Sequence, residues 1–486
     1  MKTILAKHLT RQLNLLEYLD SKQYVEQSLI IQELGYDSKT LNKDIFAINH
    51  YIKPLAIYTN FKKGIQLTIP QNYSFDYIYS QILTESTEIS FIEKIFFNET
   101  YSFNSLSELL LISNSTLRRI INGLNIKLKK EDIYIQTSPL KLVGNEKKIC
   151  TFLSQILIEK YFNSFLPFSE VQINVVEKIL NIAANNNKQT LNYAEFERVK
   201  IWMLVSIIRI QNNNEVCNSF DFPNSIDVSL LKNSALKRLF KATFLIPLNK
   251  QNALHIFSPF LNGSYAIDEQ HLENLTHSVA SIKDFVNQID NLIFYLSKTF
   301  KIPIYNHKNL TLQVYNLFTL RYKSNFIFTY RRQHFVNEIT NQHSFFIDTL
   351  EKEMNKNKNH SIWENDEIYL LAYFLIINWN QLASELNKAS PSMSVGLFLK
   401  TDIGHDAFIK EKLLYYFKNR LTITILNNLS LTSLNIKSVD YDLIITNISG
   451  LEFLKTPHLC FPMYPTMKEF ELIEIHYKNF VFCRNL

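Results

Sequence analysis

A chain of 486 residues is too long for one hydrophobic core and requires several domains. Its 46% apolar and 20% charged content excludes a disordered chain, and its net charge of +6 permits a nucleic-acid partner without demanding one. No apolar run reaches the ~18 residues of a membrane span, and residues 1–8 lack the apolar stretch of a secretory signal. A soluble, cytoplasmic protein with no membrane partner is therefore expected.

The first 150 residues contain an internal repeat. Thr40 and Leu41 recur as Thr116 and Leu117, a spacing of 76 residues. Apolar residues follow at helical spacing in both copies: Leu41, Ile45, Ile48 and Ile52, then Leu117, Ile121 and Leu124. Each of these helices is preceded by another, over 26–34 and 105–112, across a short turn rich in capping residues. Paired β-prone runs come next, at 55–59 and 65–69 in one copy and at 133–136 and 140–143 in the other. Ile57-Tyr58 and Ile133-Tyr134 keep the same offset. Helix, turn, helix and β-hairpin is the plan of a winged helix-turn-helix, here in tandem.

Residues 163–388 are strongly helical, with amphipathic stretches at 171–185, 195–211, 271–300, 310–330 and 366–386. Ile208-Arg209-Ile210 has a weaker counterpart in Leu320-Arg321-Tyr322, and 253–261 can be laid on 367–375, so two related five-helix bundles are read here. After a loop at 387–392 come buried parallel strands at 394–400, 421–426, 442–446 and 459–463, with helices at 405–418 and 466–477. The fold class is thus a multidomain, mainly α protein with a small C-terminal α/β domain. The expected boundaries are 1–70, 71–162, 163–275, 276–388 and 392–486.

This arrangement, with the segment Leu140-Lys-Leu-Val-Gly-Asn-Glu146, resembles the Mga/AtxA family of transcription regulators over essentially the whole chain. The resemblance implies that the helical repeats are akin to regulation domains controlled by the sugar phosphotransferase system. It implies that the last domain is similar to an enzyme IIB component. It also implies self-association, so a homodimer is expected, with phosphotransferase proteins as candidate partners.

Recognition helices must present donors opposite their apolar stripe. In the first copy that face offers Lys39, Thr40, Asn42 and Lys43; in the second, Ser115, Thr116, Arg118, Arg119 and Asn122. Arg and Asn read base edges of double-stranded DNA, whereas Lys and Ser commonly hold phosphates. Lys62 and Lys63 occupy the first wing tip, and Lys127, Lys129 and Lys130 follow the second helix. Residues 101–150 hold eight Lys/Arg against four Asp/Glu, so the second unit should supply more of the electrostatic affinity.

No catalytic residue is expected. The inner stretches 199–210, 312–322 and 368–377 contain no histidine, which leaves His255 and His307 as the candidate phosphorylation sites. An active enzyme IIB of this type places a cysteine after its first strand, but Thr401-Asp-Ile-Gly-His405 has none. Cys150, Cys217, Cys460 and Cys483 form no Cys-x-x-Cys pair, so their spacing indicates neither a metal site nor a disulfide framework. The eight glycines form neither phosphate-binding motif of nucleotide enzymes, and no cofactor is expected. The alternatives are an RNA-binding antiterminator and a non-catalytic phosphotransferase-system partner. Antiterminators open with a small β-rich module, which the repeated helical N-terminus argues against.

Overall fold

The computed structural model of the chain describes residues 4–20, 22, 24–60, 63–162, 164–186, 193–214, 232–257, 266, 268–320, 331–356, 367–389, 391–402, 404–426, 434, 438–451 and 454–484. The chain divides into two compact units, Met1–Tyr265 with Leu320–Thr329, and Ala266–Thr319 with Tyr330–Leu486.

The first unit opens with α1 (Lys7–Asp20), α2 (Gln27–Leu34) and α3 (Ser38–Tyr51), then the antiparallel hairpin β1 (Ala56–Asn60) and β2 (Gly64–Thr68). Gly35, at φ 68, ends α2, a left-handed position that a residue without Cβ adopts without strain. Asp37 caps α3 by accepting from the Thr40 amide at 2.8 Å. Two linking helices, α4 (Asp76–Glu85) and α5 (Thr87–Phe97), lead to the second copy. It comprises α6 (Phe103–Leu109), α7 (Asn114–Leu128) and the hairpin β3 (Ile133–Thr137) and β4 (Leu140–Gly144). The expected stripe is the observed core: Leu41, Ile45, Ile48, Ile52, Leu117, Ile121 and Leu124 are all buried.

Next follow α8 (Glu146–Lys160), α9 (Glu170–Asn186), α10 (Tyr193–Gln211), α11 (Ser234–Phe244) and α12 (Lys250–Ile256). Helix α10 is buried on two sides. Ile201, Trp202, Val205 and Ile208 join the core of the winged domains. Val199, Met203, Leu204, Ile207 and Ile210 pack with Val176, Ile179, Phe240 and Phe244. Apolar residues all round a helix are the signature of such central placement.

The second unit contains α13 (Glu269–Ser278), α14 (Ala280–Phe300), α15 (His307–Leu320), α16 (Arg331–Lys356), α17 (Glu367–Asn378) and α18 (Leu382–Ala389). The amphipathic stretch 271–300 forms two helices: Val279 at φ −131 and ψ 110 leaves helical space, and Ser278 Oγ turns to the Asn274 carbonyl. The stretch 366–386 is likewise split, with Gln381 in left-handed backbone between α17 and α18. Periodicity persists through both breaks because each helix faces the same core, so hydrophobic spacing alone does not reveal them. Helix α16 is interrupted at His343, where φ is −136. Arg321 lies outside the described residues.

The C-terminal domain is a four-stranded parallel sheet in the order β6-β5-β7-β8, from β5 (Met393–Phe398), β6 (Leu421–Ile425), β7 (Leu443–Thr446) and β8 (His458–Cys460). Helix α19 (His405–Phe417) connects β5 to β6, and α20 (Met467–Arg484) closes the chain. Phe470, Ile473 and Tyr477 of α20 are buried in the sheet's core, so the apolar residues of this last segment largely cover its own domain. Among the described residues, no helix is long and apolar enough to cross a membrane.

Candidate nucleic-acid interface

The burial of α3 and α7 exposes two matching faces. On α3, Lys39, Asn42, Lys43, Phe46 and His50 are exposed; on α7 the same positions, 76 residues on, are Ser115, Arg118, Arg119, Asn122 and Ile126, also exposed. Phe46 is 81% exposed in the middle of its face, an apolar group where the sequence reading named only polar ones. Thr40 and Thr116 are partly committed to the helix caps: the Thr40 hydroxyl bonds Asp37 at 2.6 Å and that of Thr116 bonds Ser113 at 2.9 Å. Ser115 also shares a hydrogen bond with Ser113, at 2.8 Å.

Arg118 lies with its guanidinium 5.6 Å from the Phe103 ring centroid, which steadies it while leaving its donors outward. Lys63 is exposed on the wing, 5.7 Å from the Tyr24 ring. Lys62 lies outside the described residues. Lys129 and Lys130 are exposed in a short 3-10 turn after α7. Lys127 is half-buried, and desolvation lowers its pKa. It is the least open of the described cations in the set.

Sequence reasoning missed what fixes each wing to its recognition helix. Asn49 accepts from the Ile57 amide at 2.7 Å and donates to its carbonyl at 2.9 Å. Asn125, again 76 residues on, does the same for Ile135, at 2.6 and 3.1 Å. The structural partner of Ile57 is thus Ile135 and not Ile133, because the 3-10 turn adds residues before the second wing. The two asparagines at the repeat spacing were the available signal.

The copies differ beneath the surface. In the first, buried Asp44 on α3 accepts from Arg11 at 2.6 and 2.9 Å, from Gln12 at 3.2 Å and from Tyr36 at 3.1 Å. Burial works to raise the Asp44 carboxyl, but these bonds and the Arg11 charge outweigh it and hold the pKa below the usual range. The second copy has Ile120 at the matching position.

The second wing leads directly into an ionic cluster. Gly144, at φ 140, ends β4 where an added Cβ would fall 2.0 Å from the Asp132 carbonyl oxygen, so only glycine fits. Asn145 then caps α8, and Glu146 occupies its first turn. Arg209 of α10, 1% exposed, donates to Glu146 at 2.7 and 2.8 Å, to Glu99 at 3.0 Å and to the Leu142 carbonyl at 3.2 Å. Beside it, the Cys150 thiol sits 3.6 Å from Glu146 Oε1 and 3.9 Å from His255 Nε2. Burial pushes the thiol pKa up and that of His255 down to about 4.

His255, one of the two candidate phosphorylation sites, is buried. His307 opens α15, 3.1 Å from Asp290 and stacked on Phe294 with centroids 4.7 Å apart. His405 opens α19 and donates from Nε2 to the Met463 carbonyl at 2.7 Å, in a cleft with Thr401, Asn447 and Phe461.

Residues 71–157, from α4 through most of α8, match the Mga helix-turn-helix domain. The matched segment contains the second winged unit. The likeness extends well beyond this Mga domain. A trans-acting regulator of Streptococcus pneumoniae serotype 4 is 23% identical over 467 residues, covering 92% of this chain and 93% of that protein. The anthrax toxin expression trans-acting positive regulator of Bacillus anthracis is 21% identical, covering 96% and 97%. The capsule synthesis positive regulator AcpA of Bacillus anthracis is 26% identical over 259 residues, about half of each chain. The Mga domain thus sits in a chain that is similar to named regulators over most of its length.

Proposed function

We propose that the protein is a transcription regulator that binds double-stranded promoter DNA through its tandem winged helices and acts as a positive regulator. The observation that carries this reading is the exposed Ser115, Arg118, Arg119 and Asn122 face of α7, inside the Mga domain. A capped helix with two arginines and an asparagine on one open face matches the demands of major-groove readout. Lys39, Asn42 and Lys43 repeat the arrangement on α3, and Lys63, Lys129 and Lys130 offer phosphate contacts nearby. The protein performs this role in the cytoplasm and without catalysis of its own. Genome-wide DNA occupancy tests the reading: discrete promoter sites lost in an Arg118→Ala, Arg119→Ala double variant support it, and identical occupancy of the variant overturns it.

The helical segments 163–275 and 276–388 serve as the regulatory part, and phosphotransferase proteins are the partners this assignment suggests. Phosphoryl transfer to them is weak or absent, since His255 is buried and His307 is engaged with Asp290 and Phe294. Incubation with the general phosphotransferase proteins and acid-labile phosphate mapping checks this. Stoichiometric phosphate on either histidine refutes it.

The protein acts as a homodimer held through residues 392–486. Phe408 and Tyr415 on α19 are 51% and 78% exposed, and a second copy of the same surface is the covering that two-fold symmetry provides. Pairing would also raise the effective concentration of the DNA-binding units.

A further inference from the structure

We propose that Glu146, Cys150 and His255 form a zinc-class metal site that joins α8 of the Mga domain to α12. Their candidate ligand atoms all lie within 4.8 Å of one another, and Cys150 and His255 are themselves buried. Four-coordinate zinc has Zn–S near 2.3 Å and Zn–N or Zn–O near 2.0 Å, which gives donor–donor edges of roughly 3.3–3.6 Å. The observed 3.6 Å between Cys150 Sγ and Glu146 Oε1, and 3.9 Å between Cys150 Sγ and His255 Nε2, lie within a few tenths of an ångström of those edges. Thiolate, imidazole and carboxylate together suit zinc better than the harder magnesium or calcium.

Local structure explains why the donors meet. Glu146 and Cys150 are one helical turn apart and project from one face of α8. Gly144 and the Asn145 cap fix where that helix begins, and His255 is held near the end of α12. A fourth candidate donor, an oxygen, is at hand on α10. Ser206 is fully buried, and its hydroxyl lies beside the Cys150 thiol.

The geometry carries the argument, and the charges around the site are compatible with a dication. The charged groups acting on Cys150 and His255 are Glu146 and Arg209, and Glu99 faces Arg209. Arg209 thus lies between two carboxylates, of which Glu146 is the one at the site itself. On binding, the Cys150 S–H bond breaks, its proton passes to water and the thiolate bonds the metal. The dication and new thiolate together add one positive charge beside the Glu146 carboxylate. Arg209 does not block the site, because each Glu146 oxygen has a second lone pair beyond the one that Arg209 uses.

The test uses the full-length protein freed of metal with a chelator. Zinc titration by calorimetry should show one equivalent bound, with heats in different buffers reporting release of about one proton. Cobalt(II) should give a thiolate-to-metal charge-transfer band and the visible bands of a tetrahedral site. Cys150→Ser should abolish the charge-transfer band, and His255→Gln should weaken zinc binding about 100-fold, while Cys460→Ser, which alters an exposed thiol, should change nothing. Wild-type protein that binds no zinc, or gives a cobalt spectrum without thiolate character, overturns the proposal whether or not the variants fold. So does a signal that follows Cys460.

Discussion

Arg209 on α10 and Glu146 at the start of α8, 63 positions apart, are joined by two hydrogen bonds of 2.7 and 2.8 Å. Glu146 directly follows the second wing and its cap, so this pair ties the Mga domain to the helical segment behind it. Arg209→Ala leaves Glu146 and Glu99 facing each other without compensation in a buried site. The expected loss is about 3–5 kcal/mol, measured by chemical denaturation of the first unit's signal. Arg209→Lys should recover only part of it, since an ammonium cannot make the paired contact. An Arg209→Ala protein as stable as wild type would remove this pair from any structural role.

DNA binding should depend unequally on the two recognition helices. Arg118→Ala with Arg119→Ala is expected to weaken binding more than Lys39→Ala with Lys43→Ala. Each lost phosphate contact should also lower the salt-dependence slope by about one unit. Anisotropy titrations at several salt concentrations measure both quantities.

The asparagine clasp of the second wing can be read one amide at a time. Asn125→Ala removes the acceptor for the Ile135 N–H and the donor for its carbonyl, at a cost of about 1–3 kcal/mol. Hydrogen exchange at the Ile135 amide should accelerate accordingly, with Asn49→Ala doing the same at Ile57. Unchanged exchange would show that the hairpin pairs alone hold the wing.

Asp44 predicts a pH signature. Its folded-state pKa is depressed, so its stabilisation is complete above the unfolded value of about 3.9 and is lost as pH falls through the lower folded value. Asp44→Asn should therefore cost a constant amount between pH 5 and 8, about 1–2 kcal/mol. Because the Arg11 side chain is 41% exposed, solvent screening keeps the figure low. Below about pH 4 the difference between the two proteins should shrink. A gap that widens on acidification would contradict the assignment.

Phe408→Glu with Tyr415→Glu in the full chain should shift the protein towards monomer in light scattering and lower its DNA affinity. A dimer as stable as wild type would move the interface elsewhere.

The tandem winged units were legible because a repeat states its own register: Leu41 and Leu117 announce equivalent helices, and both are buried as that equivalence requires. Strand positions in the last domain were legible for a related reason, since Leu443, Ile444 and Ile445 form an unbroken apolar run that suits a strand covered on both faces. The wing register was not, because sequence offset is blind to the extra turn that shifts Ile57's partner to Ile135. Nor was the cluster of Arg209, Glu146, Cys150 and His255. Its members come from three helices, and no local spacing encodes a contact between residues 146 and 255. Phe46 was passed over because a recognition face was sought among polar residues, although a side chain with apolar character can touch a thymine methyl.

Helix α10 has no idle side: one flank is mortared into the winged domains and the other into the helical segment. Such a rod cannot turn quietly. A rotation that relieved crowding around Met203 or Ile207 would swing Arg209 off Glu146 and drag at the root of the second wing. News of repacking deep in the helical segment would therefore reach the DNA side as torque on a single shaft, with no messenger needing to cross open water.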